Sequence, residues 1–205
     1  MASNVKDGGE TTDRGEAFEA RRMDILRSAA EAFAEEGFRE MSVGRLADRL
    51  GVSKPVLYYY AKNKDDLFDQ CSQIARDELQ QAISSIGGSQ LSGLGKIRRF
   101  FSTYANVMGS DFGRCHVLVN VSALEAKTRE KEVHARRGLE DAVRRMLIEG
   151  QQDGSVRKCD PALTTRALFG AFNGIPRWFH AGGGTDIGEV ADVYLDIFAL
   201  GITRG

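Results

Sequence analysis

Apolar residues recur every three to four positions along much of the chain, which is the spacing of one face of an α-helix. The first such stretch covers residues 16–36 and has charged residues on its opposite face. Gly37 follows it and suits the left-handed turn that closes many helices. Residues 1–15 are polar and glycine-rich without this period, so we expect a flexible arm there. The apolar face of the helix comprises Ile25, Leu26, Ala29, Ala32 and Phe33.

Two short helices are predicted to meet at a glycine in the next segment. Val43–Leu50 carries a single apolar stripe, and Ser42 before it is a residue type that caps helix N-termini. Gly51 suits a tight left-handed turn, and Ser53 is a second cap candidate. Pro55 then falls in the first turn of another helix, where its missing N–H costs no hydrogen bond. This arrangement predicts a helix-turn-helix.

The helical period continues to the C-terminus, and no segment alternates strictly enough to predict a strand. Asn63 and the Asp160-Pro161 pair mark helix starts, and the glycines at 182–184 mark a break. We therefore expect an all-α protein. The helices predicted after the helix-turn-helix cover residues 64–85, 97–108, 117–127, 130–152, 161–180 and 186–203.

Charge is unevenly distributed along the chain. The net charge of −1 by itself argues against a nucleic-acid partner. Residues 39–64, however, hold six basic and two acidic side chains, or +4, so the remaining residues sum to −5. A basic segment on a mildly acidic body suits contact with a phosphate backbone. This segment coincides with the predicted helix-turn-helix.

Composition and motif searches exclude several classes of protein. Hydrophobic residues are 42% and charged residues 28%, which is typical of globular proteins, and no apolar run is long enough to span a membrane. The spacings of zinc sites, phosphate-binding loops and esterase elbows are absent, so we expect no metal, no cofactor and no catalytic residues. Three widely spaced cysteines favour free thiols in the cytoplasm: Cys71, Cys115 and Cys159.

The second helix of the motif carries side chains suited to a DNA groove. Lys54 can reach a phosphate or a guanine edge, whereas Pro55 and Val56 can touch a thymine methyl. The tyrosines that follow can bond phosphates, and Lys64 with the N–H groups of the next helix start would form an anion site. Consecutive helical side chains point about 100° apart, so at least one of the three tyrosines is exposed. The alternative is a plain helical hairpin whose tyrosines face the core.

These residues resemble the TetR family of transcriptional repressors. Between Arg22 and Phe68 the chain has A-x-x-x-F-A-E-E-G-F, L-A-D-R-L-G-V-S and L-Y-Y-Y-A-K-N-K-D-D-L-F in the order and spacing of the family. It departs from the pattern at Gly44, where many members have a base-contacting side chain such as Arg, and at Tyr59-Tyr60, where a His-Phe pair is common. The first departure shifts that contact to Arg45. The DNA contacts implied are Ser42, Arg45, Ser53, Lys54, Pro55, Val56, Tyr58, Tyr59 and Lys64.

The resemblance implies a flexible arm over residues 1–15, a three-helix DNA-binding domain over 16–64, and a helical ligand-binding and dimerisation domain over 65–205. The last two helices would pair with those of a second copy, so the double-stranded operator would be palindromic, with reading heads about 34–36 Å apart. The apolar residues of these helices agree with such an interface. An ordinary intrachain core would use them equally well.

Aromatic residues in the C-terminal half predict a cavity for an apolar effector. A weaker resemblance, carried by Arg177-Trp178-Phe179 and the glycines after them, points to a TetR subgroup that controls lipid and sterol breakdown. It implies an acyl-CoA ligand, with Arg177 on a phosphate or carboxylate. The charge-dense stretch over residues 130–145 is expected to be a solvated helix face. The predicted ligand contacts are Phe101, Tyr104, Met108, Phe172, Arg177 and Trp178.

The expected function is therefore a ligand-responsive, homodimeric repressor with no membrane association. The alternative is a helical enzyme or carrier for small molecules that does not bind DNA. That alternative needs a nucleophile or an acid–base set, and the sequence does not show one.

Overall fold

A computed structural model describes residues 9–202, with side chains described for residues 15–200. All regular structure in this range is helical, as expected, and none of these helices is long and apolar enough to cross a membrane. The α-helices are α1 (Gly9–Glu36), α2 (Val43–Leu50), α3 (Lys54–Tyr60), α4 (Lys64–Gly87), α5 (Gly93–Gly109), α6 (Asp111–Leu118), α7 (Ala126–Asp153), α8 (Pro161–Phe172) and α9 (Ile187–Ile202). Two 3₁₀-helices cover Val121–Ala123 and Ile175–Arg177.

Helix α1 begins at Gly9, so residues 9–15, which were expected in the arm, are helical. The prediction relied on the missing apolar period. A helix that is already nucleated, however, extends at little cost for each further residue. The rest of the expected arm, residues 1–8, lies outside the described residues.

The predicted helix-turn-helix is present with its local signals. Helix α2 has the expected bounds, and the Ser42 hydroxyl accepts a hydrogen bond from the Arg45 N–H at 3.2 Å. Gly51 takes the left-handed conformation with φ of 62°, which only glycine adopts without strain. Ser53 precedes α3 in an extended conformation, but its side chain makes no capping bond. The Ser42 hydroxyl therefore caps the N-terminus of α2.

The N-terminal core joins α1, α2, α3 and the start of α4. The rings of Phe33 and Phe38 lie 5.3 Å apart, and those of Phe38 and Phe68 lie 5.7 Å apart. Cys115 and Val119, from α6 and the residue after it, are buried in the same core. A helix of the C-terminal half therefore packs directly against the N-terminal half.

The C-terminal core is aromatic and is built from α4, α5, α7, α8 and α9. The rings of Phe101 and Phe172 lie 4.7 Å apart. Helix α4 contributes Leu67 and Phe68 to the N-terminal core and Leu79 to this one. The expected domain boundary at residue 65 thus falls at the start of a continuous helix that belongs to both cores.

Several helices differ from the prediction. Helix α5 begins at Gly93 rather than 97, α7 begins at Ala126 rather than 130, and α6 was not predicted. The single helix expected over residues 117–127 is replaced by the end of α6 and a short 3₁₀-helix, before which Asn120 Oδ1 accepts the Ser122 N–H at 3.0 Å. Helix α8 starts at Pro161 as predicted but ends at Phe172 rather than near residue 180. Pro176 causes this end, since it has no N–H to continue the helix and its ring would clash with the preceding turn.

Candidate nucleic-acid interface and effector cavity

Helix α3 anchors one side chain in the core and turns most of the others to solvent. Leu57 is buried, whereas Tyr58 is 53% and Tyr59 73% exposed. We call this exposed surface the α3 front. It consists of Ser53, Lys54, Pro55, Val56, Tyr58 and Tyr59, which are six of the predicted DNA contacts.

The three tyrosines do not form a core face. Tyr60 is half-buried and stacks on Phe18, with ring centroids 5.2 Å apart. Tyr59 meets the edges of the same two rings at 5.7 and 5.2 Å while staying exposed. The alternative of a hairpin with inward-facing tyrosines therefore does not fit. Tyr59 is held in position by α1 before any partner binds.

Gly44, which departs from the family pattern, has a structural explanation. A Cβ atom at this position would lie 2.9 Å from Lys54 Cε. The space that a larger side chain would take is thus filled by the Lys54 side chain, which crosses the start of α2. Among the described residues Lys54 has no ion-pair partner, so its ammonium group is available for a phosphate.

Two arginines of the basic segment are paired within the protein. Arg45 contacts the Glu36 carboxylate and donates to the Glu40 carbonyl oxygen at 3.0 Å. Arg49 donates to Glu35 at 2.7 Å and to Glu36 at 3.0 Å. The hydrogen bond with Glu35 is the main cause of the raised pKa of Arg49. Glu35 and Glu36 lie just outside the segment counted as +4, so that count overstates the positive charge offered to DNA.

Lys64 does not form the predicted anion site. Its ammonium group donates to the Phe38 carbonyl oxygen at 2.7 Å and lies 4.3 Å from the centroid of the Phe38 ring. The start of α4 is already capped, since Asn63 Oδ1 accepts the Asp66 N–H at 2.7 Å. Asp65 and Asp66 also bring negative charge to this end. Lys64 thus fastens α4 to the segment after α1.

A cavity of about 80 Å³ lies between α5, α6, α7 and the end of α8. At the roughly 30 Å³ that each molecule takes up in liquid water, it has room for about three water molecules. The Tyr104 hydroxyl donates to Asn173 Oδ1 at 2.6 Å, and Arg136 donates to the His116 carbonyl oxygen at 2.9 Å. Burial raises the pKa of Tyr104 and keeps its hydroxyl neutral. The lining residues are Tyr104, His116, Val117, Arg136, Leu139, Glu140, Phe169 and Asn173.

Only Tyr104 among the predicted ligand contacts lines this cavity. Aromatic residues were interpreted as cavity walls, but most of them pack against one another and fill the core. Sequence reasoning missed the polar lining, since no motif spacing connects α6 with α7 and α8. The other predicted contacts lie in the core (Phe101, Met108 and Phe172) or on the surface (Arg177 and Trp178).

Helix α7 is not a solvated charged face throughout, because Glu132 is fully buried. Its carboxylate accepts the Ser72 hydroxyl at 2.7 Å, lies 3.0 Å from His116 Nδ1 and contacts the Arg76 guanidinium. Burial alone would raise the pKa of Glu132. The hydrogen bond and charge of His116, together with Arg76, outweigh it and lower the pKa to about 2. The expectation of a solvated face is therefore wrong for this residue.

Ser72, His116 and Glu132 are the residue types of a hydrolase triad, but their arrangement differs. Ser72 Oγ lies 2.6 Å and Glu132 Oε2 lies 3.0 Å from the same ring nitrogen, Nδ1. In a triad the nucleophile and the carboxylate contact opposite nitrogens. Ser72 is also fully buried. The group gives no support to the enzyme alternative.

Family comparisons match both halves of the chain. Residues 25–71 match the model for bacterial regulatory proteins of the tetR family, and residues 90–202 match the tetracyclin repressor-like C-terminal domain. The chain belongs to the TetR family of transcriptional regulators. The α3 front therefore lies in the part of the chain that matches the helix-turn-helix model, and the cavity lies in the part that matches the C-terminal domain model.

Full-length TetR-family relatives support the same assignment. The chain is 22% identical to the fatty acid metabolism regulator protein of Bacillus subtilis over 187 residues, covering 88% of this chain and 94% of the relative. It is 26% identical to the transcriptional repressor KstR2 of Rhodococcus jostii, covering 89% and 91%. The structure of AibR in complex with isovaleryl coenzyme A and operator DNA has the same fold, with a TM-score of 0.75 at 19% identity, covering 86% and 97%.

Proposed function

We propose that this TetR-family regulator represses transcription as a homodimer on a palindromic operator, and that a small molecule bound in the cavity relieves repression. The α3 front carries this proposal. A short helix with one buried anchor, one unpaired lysine and two exposed tyrosines has the size and chemistry to enter a major groove. KstR2, which is named a repressor, gives the expected sign of regulation.

The dimer is supported by apolar side chains that one subunit leaves exposed. On α8, Leu163 is 61% exposed, and on α9, Val193, Ile197 and Leu200 are 57, 64 and 84% exposed. The rings of Phe172 and Tyr194 lie 5.5 Å apart, so the two helices are neighbours. Such a surface on two adjacent helices fits a self-complementary four-helix interface.

The effector is proposed to have both a polar group and an apolar part. Val117, Leu139 and Phe169 give the cavity an apolar wall, whereas Arg136 and Asn173 bring polar groups to it. Asn173 Oδ1 and one Arg136 N–H group are already bonded within the protein, but a purely apolar inducer would leave the Asn173 amide N–H groups and the other Arg136 donors unpaired, which is costly in a buried site. The isovaleryl coenzyme A bound by AibR has a branched acyl group beside a thioester carbonyl, which makes it a suitable first probe, with room in a cavity of about 80 Å³ for its acyl end only.

DNA binding is tested with a duplex selected in vitro from a random library and titrated by fluorescence anisotropy at several salt concentrations. Lys54→Ala should weaken binding and lower the salt slope by about two, since each of two subunits loses one phosphate contact worth about 0.9. Tyr58→Ala should also weaken binding. Lys127→Ala, which alters an exposed lysine on α7, is the matched control and should change neither quantity.

A salt-independent affinity of the wild-type protein would contradict the DNA-binding proposal. The effector is tested separately by thermal shift with isovaleryl coenzyme A and short carboxylic acids. A raised melting temperature together with weaker operator binding would support the proposal. If no compound produced both effects, the effector part would fail while the DNA-binding part remained.

A further inference from the structure

A buried polar cluster joins three helices beneath the cavity. We call Ser72 and Arg76 of α4, His116 of α6 and Glu132 of α7 the Glu132 cluster. Ser72 and Glu132 are completely buried, and His116 is 2% exposed. Arg76 also donates to Asp69 Oδ1 at 2.7 Å. Because the contacts among Ser72, His116 and Glu132 lie out of water, a change in one of these side chains must be compensated by the others.

The hydrogen bonds determine which nitrogen of His116 carries a proton. The Glu132 carboxylate is only an acceptor, and the single Ser72 hydroxyl proton goes to Glu132 Oε1 at 2.7 Å. Nδ1 lies 2.6 Å from Ser72 Oγ and 3.0 Å from Glu132 Oε2, so Nδ1 must donate. Within the part of the chain that the structure describes, Nε2 has no hydrogen-bond partner. His116 also lines the cavity, so Nε2 is the ring nitrogen left for a ligand.

We propose that His116 reports occupancy of the cavity to α4: a polar group of the effector bonds Nε2, and the ring passes the change to Ser72, Glu132 and Arg76. The inference rests on the effector-controlled repressor proposed above. Because Nδ1 carries the ring proton, Nε2 is an acceptor, so the inference assigns the effector a hydroxyl, an amide N–H or a protonated carboxyl group that donates to His116. A plain hydrocarbon would fill the same space without engaging the ring.

The position of the cluster on α4 connects it with the DNA-binding half. Ser72 and Arg76 are one turn apart on this helix, so both act on the same face of it. Cys71, next to Ser72, is buried in the N-terminal core, where its thiol donates to the Leu26 carbonyl oxygen of α1 at 3.2 Å. A displacement of α4 at the cluster therefore reaches the helices that carry the α3 front. In a dimer it would alter the spacing of the two reading heads.

The test compares a full palindromic duplex with a single half-site, using the same in vitro selected sequence. His116→Asn and Ser72→Ala should each lower affinity for the palindrome about tenfold, within the usual range of allosteric coupling, and leave half-site affinity unchanged. The double variant should lose no more than either single variant, since both act on one path. Ser84→Ala, which also removes one hydroxyl from α4 but at an exposed position outside the cluster and the cavity, is the matched control and should stay within about twofold.

Unchanged palindrome affinity in folded His116→Asn and Ser72→Ala dimers would overturn the inference. Equal losses on palindrome and half-site would overturn it as well, since they would show damage to the reading head rather than altered spacing. Ser72→Ala removes a single hydroxyl, so it supplies the answer if the His116 variant does not fold. A wild-type protein that binds neither duplex would instead refute the proposed function.

Discussion

Gly170 gives a direct test of the proposed dimer. It lies on the exposed side of α8 between Leu163 and the end of the helix, and a Cβ atom there would meet no other atom within 4 Å. Replacement by Leu therefore leaves a single subunit undisturbed. Because Leu forms helices better than Gly, the isolated fold should gain about 0.5–1 kcal/mol.

The same substitution at Gly170 is expected to weaken the association of the two subunits. Four side chains of α8 and α9 are 57–84% exposed, so burying them returns about 1–2 kcal/mol each, or roughly 8–16 kcal/mol for the two subunits together. Association costs about 4–15 kcal/mol. Because the two terms are similar, the dimer depends on close packing. Packed helix axes lie about 8–10 Å apart according to the side chains between them, and a leucine at Gly170 moves them toward the larger separation.

We expect Gly170→Leu to raise the dimer dissociation constant at least about tenfold, which corresponds to 1.4 kcal/mol. Sedimentation equilibrium over a range of concentrations measures this constant, and urea unfolding measures the fold. Gly138→Leu is the matched control, because Gly138 is also an exposed helical glycine with open space around it, but on α7. Two variants that associate equally tightly would refute the assignment of α8 to the interface.

Two further predictions concern the Glu132 cluster. The pKa of Glu132 is lowered from 4.5 to about 2, so its ionised form stabilises the fold by about 3 kcal/mol at pH 7, and this contribution is lost as the pH falls from about 4.5 toward 2. Urea unfolding of Glu132→Gln should show that deficit at pH 7 and a smaller one at pH 3, whereas a constant deficit would contradict the ionic role. In ¹⁵N-labelled protein at high pH, long-range ¹H–¹⁵N spectra should show His116 protonated on Nδ1, with assignment by His116→Asn. An Nε2-protonated ring would contradict the hydrogen-bond assignment.

The DNA-binding half was predictable because its determinants are local. Ser42 before an apolar stripe, Gly51 after it and Pro55 in the next first turn act over a few residues, and the structure has each of them at the expected place. The charge of this half was harder to predict. Arg45 and Arg49 bond to α1 carboxylates more than eight positions away, beyond the reach of any helix-face rule.

The cavity proposed to bind the effector was not predictable for the same physical reason. Tyr104, His116, Arg136 and Asn173 come from four elements, and only the packing of the C-terminal core brings them together. In the sequence, Glu132 is one more charged residue of a polar helix, and only the structure shows that it is buried. Residue types alone predicted that the core is aromatic. They did not distinguish the rings that pack within the core from the rings that line the cavity.

Few basic side chains of the helix-turn-helix are free of partners within the protein. This fits control of DNA binding through the spacing of the two reading heads. Arg45 and Arg49 are paired with α1, and Lys64 bonds to Phe38. This leaves few positive charges for phosphates on each subunit, so in the proposed dimer one head would bind weakly and DNA would be held only when both heads dock together. An effector then needs to abolish only the simultaneous docking, which a modest displacement of α4 can do. If every basic side chain of a reading head were free, each head would bind its half-site on its own. The same displacement of α4 would then not release the DNA.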